Sequence, residues 1–235
     1  MKNDNKTHIF NNIMAKKRNQ ETRTKLEEIN DSLSGIEQKF EQHKNIVYWA
    51  VMAVIIIALI IWAYFKFIYA PNLEKANNEL NKADTELIFN QDSVAALKAY
   101  EKVAKNYSNA AGNVAKLKAA TILYAQGKNK EAMNYLEDYS PKGKIVGPAS
   151  QSLLGDCYVN AKQLEKAIDA YDEAIKLAGD NKSYVPSFML KKANVLHSLK
   201  KYNEELAIYQ EIETKYYGPG ALDAQIERAK ALGAK

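Results

Sequence analysis

Twenty consecutive residues without a formal charge, IVYWAVMAVIIIALIIWAYF over 46–65, stand between Lys44 and Lys66. At 1.5 Å of rise per residue, a helix of that length spans roughly 30 Å, about the hydrocarbon thickness of a bilayer. Tyr48, Trp49, Trp62, Tyr64, Phe65 and Tyr69 gather toward its two ends, while Ile, Val, Leu, Ala and Met fill the middle. Amphipathic rings distribute in this way between headgroups and hydrocarbon. A core helix of a soluble protein keeps a polar face, and a cleaved signal peptide has an apolar region of about 7–15 residues behind a short basic start. Here 45 residues precede a longer run, and Pro71 after Ala70 obstructs cleavage. The segment predicts one uncleaved transmembrane helix over 46–69, with the six aromatic residues at the membrane interface and the lipid bilayer as its first partner.

The flanks set the expected sidedness. Residues 1–45 hold nine Lys or Arg against seven Asp or Glu, and the basic group Lys16, Lys17, Arg18 lies well before the span. A tail without a signal of its own stays on the side of synthesis. The expectation is therefore a single-pass protein with its N-terminus cytoplasmic and its C-terminal part across the membrane. Residues 1–20, rich in Asn, Lys and Gln, read as a disordered tail. Over 21–45, Leu26, Ile29, Leu33, Ile36, Phe40 and His43 follow alternating steps of three and four, a short heptad stripe on a cytoplasmic amphipathic helix. Polar His43 and the pair Ser34-Gly35 weaken that seam. Three uses stay open for it: docking on an integral membrane protein through Leu26, Ile29, Leu33, Ile36 and Phe40, a solvated stalk, or a homo-oligomer joined by tail helices.

Charge and motif content exclude several classes. The formal net charge is +5, but Lys and Arg never form a run of five, so nucleic acid is not an expected partner. Cys157 has no second cysteine to bridge, and His8, His43 and His197 lie too far apart in the chain to suggest a metal site. HExxH, GxxxxGK(S/T) and GxSxG are all absent, so the chain reads as a non-enzyme without catalytic residues, metal or cofactor. Glu165, Asp169, Asp172 and Glu173, with Lys162 and Lys166 among them, read as a solvated helix face.

Past Pro71 the chain becomes a series of short amphipathic segments joined at Asn, Gly, Asp or Pro, all of helical period. Counting from Pro148, Leu154 and Gly155 take positions 7 and 8, Tyr158 position 11, Ala167 position 20, Tyr171 position 24 and Ala174 position 27. Small residues at 8 and 20 let two helices approach, and bulky ones at 7, 11 and 24 fill the space around them. On these residues the segment resembles the tetratricopeptide repeat family. A unit from Asn113 supplies Ala119, Ala120, Leu123, Ala132, Leu136 and Tyr139 at the same sites. One from Pro186 supplies Ala193, Leu196, Tyr209 and Ile212, and one from Asn77 supplies Ala83, Leu87, Ala96, Tyr100 and Val103. Two departures stand out: Glu205 where Ala belongs, which bears on how tightly that hairpin closes, and Asp84 at a small-residue site. Starts at 77, 113, 148 and 186 are spaced near the ideal of about 34 residues, with the excess in loops such as YSPKGKIVG and LAGDNKSYV. A last segment, Ala221 to Leu232, reads as a capping helix. The fold class expected is all-α: a transmembrane helix, then a right-handed tetratricopeptide-repeat solenoid of about four hairpins over 72–235 with its cap.

The family resemblance implies a concave surface lined by positions 2, 5, 9, 12 and 13 of each first helix. These positions are Val114, Leu117, Thr121, Tyr124 and Ala125, then Ala149, Ser152, Asp156, Val159 and Asn160, then Ser187, Leu190, Asn194, His197 and Ser198. The face is modestly apolar and lacks the basic set that clamps a terminal carboxylate. It suits a helix or extended polypeptide held by apolar contact and a few amide hydrogen bonds. The competing reading is a face that meets only water.

The order of parts, tail, single span and repeat domain, is similar to that of the YfgM-like ancillary subunits of the bacterial Sec translocon. What that resemblance implies is a protein of the bacterial inner membrane, N-terminus cytoplasmic and repeat domain periplasmic, that associates with the protein-export channel, contacts clients and recruits a periplasmic chaperone or folding factor. A general scaffold or adaptor in a cell-envelope or cell-division complex uses the same parts without secretion.

Overall fold

A computed structural model describes residues 44–234, and the chain divides into two compact units between Ile68 and Tyr69. The tail 1–20 and the stripe Leu26, Ile29, Leu33, Ile36, Phe40 and His43 lie outside the described residues. In the first unit, residues 44–64 form α1. None of residues 44–68 is buried, although a helix apolar on every side is stable only when something covers it. Rings pair edge to face at both ends: Tyr48 with Trp49 at 5.8 Å between centroids, and Trp62 with Phe67 at 6.2 Å. The Lys66 ammonium stands 5.2 Å above the Trp62 ring.

The sequence places a boundary at Pro71, yet helical backbone is continuous over Lys44–Ile88. A five-residue π-helical turn, Phe65–Tyr69, sits just before the proline. Proline lacks an N–H and its ring crowds the carbonyl four residues back; widening the preceding turn accommodates both defects without ending the helix.

The second unit consists of helical hairpins and a closing helix. The pairs are α2 (Ala70–Ile88) with α3 (Ser93–Asn106), and α4 (Ala110–Ala125) with α5 (Asn129–Glu137). They continue as α6 (Val146–Asn160) with α7 (Leu164–Ala178), α8 (Val185–Ser198) with α9 (Tyr202–Ile212), and the closing α10 (Asp223–Gly233). The repeat starts read from the sequence fall inside α2, α4, α6 and α8. Asp92 begins α3 by accepting from the Val94 and Ala95 amides, and Asn109 begins α4 by accepting from Ala111 and Gly112. Three first helices end alike. Lys128 N–H reaches Leu123 O, Gln163 N–H reaches Tyr158 O, and Lys201 N–H reaches Leu196 O, each at 2.9 Å. The residue before each donor is left-handed: Gly127, Lys162 and Lys200 at φ 76°, 61° and 61°.

Packing follows the signature sites. Ala83, Ala96, Ala119, Ala132, Ala167 and Ala193 have no exposed surface. Gly155 is required by contact, since a Cβ there would stand 2.5 Å from Cε1 of Tyr171. First helices pack on one another, α2 on α4 and α4 on α6. The second helices α3 and α5 instead border an open groove of about 840 Å³, lined by Glu101, Lys105, Lys116, Glu131, Tyr135 and others. First helices therefore form the inner side of this unit.

The two departures from the signature close their hairpins through charge instead of small size. Asp84 accepts from the Tyr100 hydroxyl at 2.5 Å and from Lys118 of the next hairpin at 2.7 Å. Glu205 is fully buried. It accepts from Tyr209 at 3.1 Å and from Arg228 of α10 at 3.3 Å, and lies 2.9 Å from His197 Nδ1. The fourth hairpin is closed around this carboxylate, not loosened by it.

Candidate functional site

The inner face is built from the exposed and half-buried sides of α4, α6 and α8. Leu117, Tyr124 and Val159 are half-buried against the main core, and Leu190 against the core of the last hairpin and closing helix. Val114 is exposed beside them, as are Thr121, Asn160 and Asn194. The Thr121 hydroxyl turns back to donate to its own helix at Leu117 O, 2.8 Å away. Asn160 donates its side-chain amide to Asn129 Oδ1 at 3.0 Å. Tyr124, Asp156 and Asn160 meet across α4 and α6: the Tyr124 phenol titrates above its ordinary range, first through burial and then through the nearby Asp156 charge, with an opposing hydrogen bond from Asn160.

Three further residues of this sequence-derived set are tied to charged groups. Asp156 accepts from the Tyr171 hydroxyl at 2.7 Å and from Lys191 of α8 at 2.5 Å. Ser152 is buried, and its hydroxyl oxygen accepts from the same Lys191 at 3.1 Å. His197 joins Glu205 and packs edge to face on Tyr202. Ala125, Ala149, Ser187 and Ser198 are exposed. In the first unit Tyr48, Trp49, Trp62, Tyr64 and Phe65 are exposed, and Tyr69, the first residue of the second unit, is half-buried.

Sequence reading missed the cations. Lys118 and Lys191 both stand at position 6 of their units, each facing the carboxylate that also holds the position-24 tyrosine of the preceding hairpin. Arg228 does the same from α10. A lysine recurring at position 6 after a tyrosine at position 24 is the signal that marks these ties in the sequence. The junction between the second and third hairpins carries Leu136 and Leu153 at these two sites, both in the main core.

The face pairs its carboxylate Asp156 with Lys191 and carries four half-buried apolar side chains, Leu117, Tyr124, Val159 and Leu190. Cys157 offers no nucleophile: it is buried, and desolvation followed by the Asp156 charge pushes its thiol up to about 11. Among the described residues, no group of His, Cys, Asp and Glu is arranged to hold a metal.

A family model described as a tetratricopeptide repeat-like domain matches residues 78–196. Among solved structures, the chain is similar to the MamA protein, at 22% identity and a TM-score of 0.54, over 68% of this chain and 84% of that one. It is also similar to the nearly identical TPR-like repeats of a Podosopora anserina kinesin light chain, at 15% identity and a TM-score of 0.51, over 68% of this chain and 87% of that one. At these identities the likeness shows the fold alone. Comparison with curated proteins returns no match.

Proposed function

The chain belongs to the tetratricopeptide repeat-like family, a scaffold for protein–protein contacts and not a catalyst, and from that premise we propose that it is a membrane-anchored adaptor. Its inner face captures a polypeptide segment of a cell-envelope partner. The observation that carries this reading is the strip of Leu117, Tyr124, Val159 and Leu190, half-buried on first helices, with Val114, Thr121 and Asn194 exposed beside it. Asp156 and Ser152, which would otherwise make that face polar, are engaged by Lys191. An apolar strip with a few amides at its rim suits a helix or an extended chain.

The anchor is the uncovered helix α1. Its most apolar window is 0% buried, its length matches the hydrocarbon core, and its rings lie near both ends. The N-terminal tail is then cytoplasmic and the repeat unit stands on the periplasmic side of the inner membrane. A narrower reading, an accessory subunit of the Sec channel that recruits folding factors, draws only on the order of tail, span and repeats.

The test is gentle detergent extraction of the full chain, followed by identification of co-purifying proteins. Replacing Leu117, Tyr124 and Leu190 with Ser should remove the partner while helicity is kept. Unchanged capture by a folded variant would overturn the inner-face reading. Channel subunits in the purified set would favour the Sec reading; their absence alongside an envelope partner would favour the general adaptor. Release of the protein by carbonate washing would overturn the anchor.

A further inference from the structure

We propose that the inner face continues onto the first hairpin through Leu87, Ile88 and Phe89, and that it receives a partner segment with bulky apolar residues at one end and hydrogen-bonding side chains at the other. This inference rests on the inner-face reading above and deepens it. In each hairpin a left-handed residue stands just before the capping donor of the turn: Gly127, Lys162, Lys200 and, in the first hairpin, Gln91 at φ 54°. Lys128, Gln163 and Lys201 reach the carbonyl five residues back, whereas Asp92 N–H reaches Glu86 O, six residues back, at 2.9 Å. The first turn thus holds one residue more, and each residue of α2 sits one position later than the count from Asn77 gives. Contacts and burial agree with that register. Asp84 then stands where Asp156 stands, and both accept from the position-24 tyrosine of their own hairpin and from the position-6 lysine of the next. Ala83 joins Ala120, Gly155 and Ala193 at the buried small-residue site.

The register assigns the end of α2 to the inner face. Leu87 falls in one row with Tyr124, Val159 and His197, all half-buried. Ile88 falls in the next row with Ala125, Asn160 and Ser198, all exposed. Phe89 follows, where the second and third hairpins carry Gln126 and Ala161. Ile88 and Phe89 keep 62% and 79% of their surface, and Val94 across the same turn keeps 72%, the highest values for large apolar side chains among the described residues of the repeat unit. A cluster of that kind is stabilised when apolar groups of a partner cover it. Toward α8 the same face turns polar: Asn194 and Ser198 are exposed, and His197 is tied to Glu205. A segment laid across the first helices therefore meets branched and aromatic groups at α2, and amide and hydroxyl groups at α8. Neighbouring helices pack at about 8–10 Å, so three steps make roughly 24–30 Å, about eight or nine residues of extended chain.

The experiment places the photo-crosslinker p-benzoylphenylalanine at position 89 or at position 194 of the full chain, in the cells that make it, and sequences the segment captured on irradiation. Capture of one partner segment at both positions is expected, with its apolar residues joined to 89 and its polar residues, within about nine positions, joined to 194. Ile88→Ser combined with Phe89→Ser should lower capture at 194 severalfold without moving the melting temperature, because both side chains are exposed. Undiminished capture at 194 in that double variant overturns the extension and leaves the inner-face reading intact. So does a position 89 that captures nothing, a second copy of this chain, lipid or a different protein. A segment bound in the opposite order, apolar at 194, overturns the polarity. No capture at 194, or capture there that survives combined Leu117→Ser, Tyr124→Ser and Leu190→Ser in a folded chain, overturns both readings.

Discussion

The Tyr171 hydroxyl donates to Asp156 Oδ1 at 2.7 Å, from the second helix of one hairpin to the first helix of the same hairpin. Lys191 of the next hairpin takes the other oxygen, so one carboxylate fastens a hairpin internally and to its neighbour. A hydrogen bond to a charged group contributes about 1.5–3 kcal/mol. Tyr171→Phe should lower unfolding free energy by that amount in urea melts. In double-mutant cycles Tyr171 and Lys191 should couple, because they share an acceptor.

Gly155 lies against the Tyr171 ring, and the position tolerates no side chain. Gly155→Ala adds about 1 kcal/mol of helix propensity but places Cβ within 2.5 Å of a ring carbon in a packed interior. Overpacking costs about 1–3 kcal/mol and should win. The expected outcome is a lower melting temperature, against the usual gain from glycine to alanine in a helix.

Lys162 and Lys200 occupy the left-handed cap that Gly127 fills in the second hairpin. A non-glycine residue there costs roughly 1–2 kcal/mol, and the extra freedom of glycine in the unfolded chain returns about 0.5–1 kcal/mol of that. Lys162→Gly and Lys200→Gly should each stabilise by up to about 1 kcal/mol, read as a shift in denaturant midpoint at constant slope.

Spacing made much of this architecture legible. Alanine, glycine and tyrosine recur because each first helix meets its second at the same distance, and that distance is a local property of one unit. The ties across units were not legible. Lys118 reaches Asp84 and Arg228 reaches Glu205 from different hairpins or from the cap, so no single unit contains both partners. Asp84 and Glu205 look like faults when each unit is read alone. His197 and Asp156 likewise read as free groove residues, because their partners Glu205 and Lys191 belong to other helices. The helix through Pro71 was hidden for another reason: a π-helical turn has no sequence mark beyond the proline it accommodates.

Alkaline pH should loosen the repeat unit. Burial first, then the hydrogen bond to Glu137, holds the Tyr158 phenol up to about 12, and burial pushes Tyr100 and Tyr171 well above the ordinary tyrosine range. An unfolded phenol loses its proton near pH 10. Above that pH the folded chain binds protons the unfolded chain has released, so stability is fully present below about pH 10 and falls as pH climbs toward 12. The urea midpoint should drop across this window, and Tyr158→Phe should flatten the decline. A midpoint independent of pH there would contradict the assignment.

Glu205 controls the closing helix. Its carboxylate has no exposed surface, while its partners Arg228 and His197 keep 52% and 36% of their side-chain surface. Removing either end of the Glu205–Arg228 pair therefore has different consequences. Arg228→Met leaves a buried carboxylate with only Tyr209 and His197, and the loss of a charged hydrogen bond should cost about 1.5–3 kcal/mol. Glu205→Gln removes the charge but keeps an acceptor for Tyr209, and the freed guanidinium can turn to water, so it should cost less. Combining the two changes should destabilise by less than their sum, because a neutral amide no longer needs the cation. Hydrogen exchange supplies the check: amides of α10 should lose protection in Arg228→Met before those of α4 and α6. Loss of protection that begins instead in the early hairpins would show that α10 is held by Leu222, Ile226 and Ala229 packing alone.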